Sequence, residues 1–270
     1  MADWRATIVV LFSLMVLLPE CYSRLAVNVK TKAGDITKQV FESFPEKELV
    51  KISFRLNDGR YIDISLDFRK KIQVIKAIIL GEMDKAENPY EAVCFAIKLT
   101  DGEYVTPDAM SKLRQKNPDT IRSPEVDVGT EEIVLDQLVP VTNAGVLTDQ
   151  VYSMCEEVGF VFTKQEDIKN LISDNYTTIP LFMSSVQNLS SNMISRKRCH
   201  DTKESKVPCI CRLQVCISWY PCDLKYCQGQ DSDGKPTEYR CGIKTCGKCH
   251  DLDYLATEKR HCFWDDNPKS

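Results

Sequence analysis

Apolar and polar residues alternate with a period of two through much of the first two-thirds of the chain, the pattern of half-buried strands. Val50, Ile52, Phe54 and Leu56 alternate with Lys51, Ser53 and Arg55. Ile62, Ile64, Leu66 and Phe68 resume the pattern, with Asp63, Ser65 and Asp67 on the opposite face. Asn57-Asp58-Gly59 lies between them and tolerates the positive φ of a tight turn, so residues 49–68 are predicted to form a hairpin. Residues 72–80 are a nearly continuous apolar run closed by Gly81, which fits a buried central strand or a short helix. Residues 90–100 alternate again, with Val93, Phe95, Ile97 and Leu99 on one face and Cys94, Ala96 and Lys98 on the other. Thr106-Pro107-Asp108 carries the N-cap, first-turn proline and acidic residue of a helix start. Met110 and Leu113 would face the sheet, and Asn117-Pro118 would stop the helix. Residues 124–129 read as a loop, and Val158, Phe160 and Phe162 as a further alternating set after Cys155. These elements predict an α+β fold, a sheet covered by one or two helices.

The two ends of the chain are of a different kind. Residues 1–23 read as a secretory signal peptide: Arg5 precedes an apolar run over residues 6–18, and Cys21-Tyr22-Ser23 offers small residues for cleavage. The run is shorter than the ~20 residues that span a bilayer, and a retained signal anchor is the alternative reading. No second apolar segment approaches spanning length, so no membrane span is expected in the mature chain. Residues 24–169 form the first domain in this reading. Residues 170–198 form a polar linker carrying two N-glycosylation acceptors, Asn175-Tyr176-Thr177 and Asn188-Leu189-Ser190. It ends at Arg196-Lys197-Arg198, a solvated basic run or a convertase cleavage site.

Residues 199–270 hold ten of the thirteen cysteines: Cys199, Cys209, Cys211, Cys216, Cys222, Cys227, Cys241, Cys246, Cys249 and Cys262. So cysteine-dense a segment, with few apolar residues, is expected to be held by cross-links or a metal. Three chemistries fit the residue types. A disulfide framework suits the secretory route, and about 945 pairings of ten cysteines leave its connectivity open. Zinc could take Cys246, Cys249 and His250 with Cys222 or Cys227, although the spacings make no paired knuckles. Cys246-Gly247-Lys248-Cys249 has thiol-exchange spacing, but Cys241 lies five residues upstream and no apolar strand precedes the motif. The disulfide framework is the reading adopted, with no metal and no cofactor. Removal of Cys21 with the signal peptide leaves twelve cysteines, an even number. Trp219, Tyr220, Tyr226 and Trp264 read as this segment's small core or as a binding patch.

Net charge of −4 and scattered Lys and Arg argue against nucleic acid as a partner. The three histidines, His200, His250 and His261, lie beside no nucleophile motif, and phosphate loops and dinucleotide fingerprints are absent. No catalytic residues are expected, and the chain reads as a non-enzyme.

Several stretches closely resemble the out at first family of secreted animal proteins. They are Ala109-Met110-Ser111-Lys112-Leu113-Arg114-Gln115-Lys116-Asn117-Pro118, Trp219-Tyr220-Pro221-Cys222-Asp223-Leu224-Lys225-Tyr226-Cys227, Tyr239-Arg240-Cys241-Gly242-Ile243-Lys244-Thr245-Cys246 and Cys262-Phe263-Trp264-Asp265. The likeness covers essentially the whole mature chain and looks like that of an invertebrate member. Cys216 and Cys249 stand outside the family pattern, and their joint presence suggests a bond between them. The first domain is also similar to BRICHOS domains, whose aspartate and two cysteines fall on Asp67, Cys94 and Cys155. That resemblance implies an antiparallel BRICHOS-like sheet with flanking helices, a Cys94–Cys155 disulfide and a pH-sensing role for a buried Asp67. It also implies chaperone-like activity toward β-prone segments, although here a small disulfide-rich module follows in place of an in-chain client. The expected partner is an extracellular protein. It would be met either by the chaperone-like domain or, in the alternative reading as a secreted ligand or modulator, by the cysteine-rich tail.

Overall fold

The computed structural model describes residues 23–80, 90–172, 179–230, 232–262 and 264–265. The signal-peptide reading, Asn175 and Phe263 therefore lie outside the described residues. Six strands form an antiparallel meander: β1 (Ser23–Lys30), β2 (Ile36–Phe44), β3 (Leu49–Arg55), β4 (Tyr61–Asp67), β5 (Ile72–Leu80) and β6 (Tyr90–Lys98). The β3–β4 hairpin turns where the sequence places it, with Gly59 at φ 91° and the Leu56 N–H donating to the Arg60 carbonyl at 2.8 Å.

The chain then passes through α1 (Pro107–Ser111), β7 (Ile121–Arg122), β8 (Val126–Val134) and β9 (Gln137–Pro140). It continues through α2 (Val141–Ala144), α3 (Asp149–Cys155), β10 (Phe160–Thr163) and α4 (Gln165–Ile172). Next come α5 (Ile179–Ser185), β11 (Gln187–Asn188) and α6 (Ser190–Ser195), and last the two long strands β12 (Cys209–Gln230) and β13 (Pro236–Ala256). The large sheet runs β11-β9-β10-β6-β5-β4-β3-β2-β1-β7, and a second sheet runs β12-β13-β8. The fold is sheet-dominated: α1 packs through Ala109 and Met110 on the face that β12 and β13 cover, and α2 to α5 lie on the opposite face.

The apolar pattern explains this layering. On β5, Ile75 and Ala77 enter one hydrophobic cluster while Ile72 and Val74 enter another. On β6, Phe95 and Ile97 face the first cluster, and Cys94 and Ala96 the second. A strand covered on both faces reads as a continuous apolar run, which is why β5 looks unlike β3 and β4. The second cluster is closed by Val141, Val151, Cys155, Ile168 and Phe182 from the helices. The first is closed by the second sheet: Leu213, Val215, Ile217, Trp219, Leu252 and Tyr254 pack on Phe41, Ile52, Ile64 and Phe95. Aromatic contacts stitch the two sheets together. Phe41 meets Trp219 edge-on at 5.7 Å, and Tyr254 meets Phe95 at 5.4 Å and Phe162 at 5.1 Å.

Four expectations are corrected. Residues 199–270 carry the expected cross-links but not a small core of their own, because β12 and β13, together with β8, form one layer of a sandwich whose other layer is the large sheet. Residues 124–129 are not a loop throughout: β8 starts at Val126 and pairs in parallel with β13. Val158, Phe160 and Phe162 do not share a buried strand face. Val161 and Thr163 are the fully buried residues of β10, and Phe160 is 50% exposed. Finally, the described end of the linker is packed. Phe182, Leu189 and Met193 are buried, β11 joins β9, and the Leu189 N–H donates to the Asp136 carbonyl at 2.7 Å.

Candidate functional site

Asp67, Cys94 and Cys155, far apart in sequence, meet on one short helix. Thr148 is the N-cap of α3, its hydroxyl oxygen accepting from the Gln150 N–H at 3.2 Å while its own O–H donates to Asp67 Oδ2 at 2.5 Å. The other Asp67 oxygen accepts from the Lys70 N–H at 2.9 Å. Cys155 ends α3 and is bonded to Cys94 on β6, both fully buried. The helix is thus fastened to β4 at its start and to β6 at its end. Asp67 is half-buried rather than buried, and its carboxylate is committed to capping contacts. Asn188, the described glycosylation acceptor, is exposed, with its Oδ1 accepting from the Ser190 N–H at 2.8 Å.

The ten tail cysteines form five disulfides. Cys199–Cys209 and Cys211–Cys262 fasten the segments before β12 and after β13 onto the base of the hairpin. Cys216–Cys249 joins residues directly opposite in register, their Cα atoms 4.0 Å apart. Cys222–Cys246 and Cys227–Cys241 follow toward the tip. The bond between Cys216 and Cys249 is the one suggested by their joint presence outside the family pattern. The zinc and thiol-exchange readings lose their ligands here, because Cys246 and Cys249 belong to different disulfides and lie on a strand. The sulfurs of Cys199, Cys211 and Cys262 lie within 4.8 Å of one another, yet each is already in a disulfide.

Past Cys222 the hairpin leaves the body. Most of the described residues between 223 and 244 are exposed, and among the described residues β12 and β13 pair there with each other alone. A lone two-stranded ribbon is marginal in water. Closing a loop of ~15 residues is worth ~3 kcal/mol by loop entropy, so Cys227–Cys241 supplies order that burial does not. Tyr226 and Tyr239 are 61% and 53% exposed on this arm. Gly229 makes room for the second of them: a Cβ there would meet the Tyr239 ring at 3.0 Å. The four aromatic residues read as a small core or a binding patch therefore divide. Trp219 and Tyr220 are buried in the shared core, and Trp264 donates to the Tyr254 hydroxyl at 2.6 Å. Tyr226 is presented to solvent.

At the base of the hairpin a buried charge network replaces apolar packing. Arg212 grips Asp253 with two hydrogen bonds of 2.7 and 2.8 Å and reaches Asp251 and Glu132 at 3.3 Å. Arg198 grips the same carboxylate with two bonds of 2.6 Å. Burial pushes the Asp253 carboxyl up, but the two hydrogen-bonded guanidinium groups bring it below the ordinary range. The processing reading of Arg196-Lys197-Arg198 meets an obstacle here. Arg198 is committed to Asp253, and the backbone runs beside β12, Ile210 N–H to the Lys197 carbonyl at 2.9 Å and Cys199 N–H to the Ile210 carbonyl at 3.0 Å. His250 is 2% exposed with neither ring nitrogen hydrogen-bonded, and Glu131 lies 3.7 Å away. Burial, aided by the Lys248 charge, pushes its pKa down to about 4.

Comparison with known proteins agrees with the sequence motifs. Residues 23–171 match the family described as "Out at first" and residues 198–266 the one described as "Out at first, C-terminal". The "Out at first protein" of Drosophila melanogaster is 34% identical over 256 residues, covering 91% of this chain and 52% of that protein. Its counterpart in Drosophila virilis is 34% identical over 254 residues, covering 90% of this chain and 83% of that protein. The chain thus spans about half the length of the D. melanogaster relative. No solved structure matches the chain.

Proposed function

The chain belongs to the out at first family, and from that premise we propose that it is a secreted protein that binds another protein outside the cell through the arm formed by residues 223–244. The observation that carries this reading is the arm itself. It adds little to either hydrophobic cluster, yet it is stapled by Cys227–Cys241 and braced at its root by Cys222–Cys246. Exposed Tyr226 and Tyr239, flanked by Lys225, Glu238 and Arg240, have the composition of a contact surface, with aromatic anchors among polar neighbours. The six disulfides fit an oxidising, extracellular setting, and among the described residues no helix is long and apolar enough to cross a membrane. The test is binding of labelled intact protein to cells. Binding abolished by surface proteolysis of the cells and by Tyr226→Ser/Tyr239→Ser supports the proposal. Binding untouched by both treatments overturns it.

A second reading, chaperone-like action toward β-prone segments, is favoured by the meeting of Asp67, Cys94 and Cys155 on α3. Both broad faces of the large sheet are covered, one by β12 and β13 and the other by helices. Its two edges end in the two-residue strands β7 and β11, a common device against strand addition. A client would therefore engage an open edge such as that of β8, or displace the tail. Suppression of amyloid formation is to be measured with the full chain, since residues 24–169 alone would bare the face of Phe41 and Phe95. Suppression lost in Cys94→Ser/Cys155→Ser supports this second reading, and no suppression ends it.

A further inference from the structure

The chain carries a net charge of −4, but one surface departs from that balance. The segment before β12 and the segment after β13 lie side by side. The Lys259 N–H donates to the Val207 carbonyl at 3.1 Å and the Arg260 N–H to the Ser205 carbonyl at 3.3 Å, while the Lys259 ammonium reaches the Thr202 carbonyl. Residues 196–206 and 258–261 thereby pool Arg196, Lys197, Arg198, Lys203, Lys206, Lys259 and Arg260 against only Asp201, Glu204 and Glu258. Arg198 is neutralised by Asp253, and Arg260 pairs with Glu258 at 2.6 Å. Arg196, Lys197, Lys203 and Lys206 are exposed and have no ion pair among the described residues. Elsewhere Lys32, Arg69, Lys71, Lys112 and Lys225 each sit on a carboxylate.

The patch is also held in shape. Cys199–Cys209 closes one segment into a short loop, Cys211–Cys262 ties the other to β12, and the two bonds pack together. A basic surface fixed in this way loses little side-chain and backbone freedom when it meets a polyanion.

We propose that this double-segment basic surface binds a sulfated polysaccharide, a linear polyanion of the extracellular matrix. The chemistry is that of ammonium and guanidinium groups against sulfate along an exposed surface. A lipid surface fits less well, because neither segment presents a large exposed apolar side chain to enter a bilayer, and the nearest, Ile194, lies upstream of both. This binding is separate from the arm and from its protein partner.

The experiment uses the intact secreted protein on immobilised heparin with a salt gradient. It compares wild type with Lys197→Gln/Lys203→Gln/Lys206→Gln and with Lys38→Gln/Lys116→Gln/Lys169→Gln, which changes net charge equally at other exposed sites. Wild type is expected to be retained at physiological salt and the control set to match it. The patch set should elute earlier, its slope of log affinity against log salt falling by about one per cation removed. Unchanged melting and unchanged non-reducing mobility show that the patch set folds. Four results overturn the proposal: no retention of wild type, an equal shift in both sets, retention on anionic vesicles but not on heparin, or competition by duplex DNA as effective as by soluble heparin. In the cell-binding assay, patch-dependent binding is removed by heparinase and by the patch set, whereas arm-dependent binding survives heparinase and is removed by Tyr226→Ser/Tyr239→Ser, so the two proposals fail separately.

Discussion

β12 and β13 are continuous strands with two different lives. Near the body, Leu213, Val215, Ile217, Trp219, Leu252 and Tyr254 fill the core shared with the large sheet. Beyond Cys222 the same two strands carry Lys225, Gln228, Gln230, Glu238 and Arg240, exposed to solvent. Burial orders the first half, and covalent links order the second. The difference shows why cysteine count alone misleads about stability. Five disulfides lie in the tail, but the global fold rests on the half where Trp219 meets Phe41.

The comparison is broken most directly in the shared core. Trp219→Ala removes a side chain that is 5% exposed and seals the two sheets, so a loss of ~3–5 kcal/mol is expected in denaturant unfolding. A loss below ~1 kcal/mol would mean that the tail is a separate module after all.

His250 offers a pH-dependent version of the same test. It faces Glu131 on β8 and its neighbour on β13, Lys248, and its folded pKa is lowered from 6.5 to about 4. The unfolded chain therefore takes up this proton before the folded chain does. The stability it contributes is present above about pH 6.5 and is lost as pH falls toward about 4, up to ~3 kcal/mol in all. His250→Leu should flatten that part of the pH profile, measured by urea midpoints. An unaltered profile would place the acid sensitivity elsewhere.

Asp67→Ala tests the helix-covered side of the large sheet. It removes the Thr148 contact at 2.5 Å and leaves the Cys94–Cys155 bond in place. A loss of ~1–3 kcal/mol is expected, together with faster amide exchange at the first turn of α3. Exchange unchanged at Gln150 and Val151 would show that the carboxylate does not hold the helix.

Sequence pattern reached the β3–β4 hairpin, β5, β6 and the Thr106 cap because their signals are local: alternation, a turn triplet, a capping hydroxyl. β2 escaped notice because Gln39 and Ser43 occupy core-facing positions beside Phe41, which breaks the apolar period. β8 is mostly exposed, and its partner Asp251 lies more than a hundred residues after Glu132, a pairing that no local signal encodes. The packed end of the supposed linker rests on three scattered residues, Phe182, Leu189 and Met193. The candidate arm was visible only as cysteine spacing. Which tyrosine is buried and which is presented depends on where the hairpin leaves the sandwich, and the basic surface depends on two segments more than fifty residues apart.

The smallest expected effect is the most informative about the arm. Cys227→Ser/Cys241→Ser removes the outer staple from residues that bury almost nothing. Global unfolding should therefore shift by less than ~0.5 kcal/mol, as for a surface change remote from the core. Locally the ribbon loses ~3 kcal/mol of loop-closure restraint, and a two-stranded piece of this length cannot make that good by itself. Amide exchange and protease cutting within residues 225–242 should rise sharply while the β12–β13 base stays protected. A large global loss would tie the arm to the core and remove the distinction between the two halves. A ribbon that stays protected without its bond would have to be ordered by its own side chains, with Tyr239 over Gly229 the first contact to test.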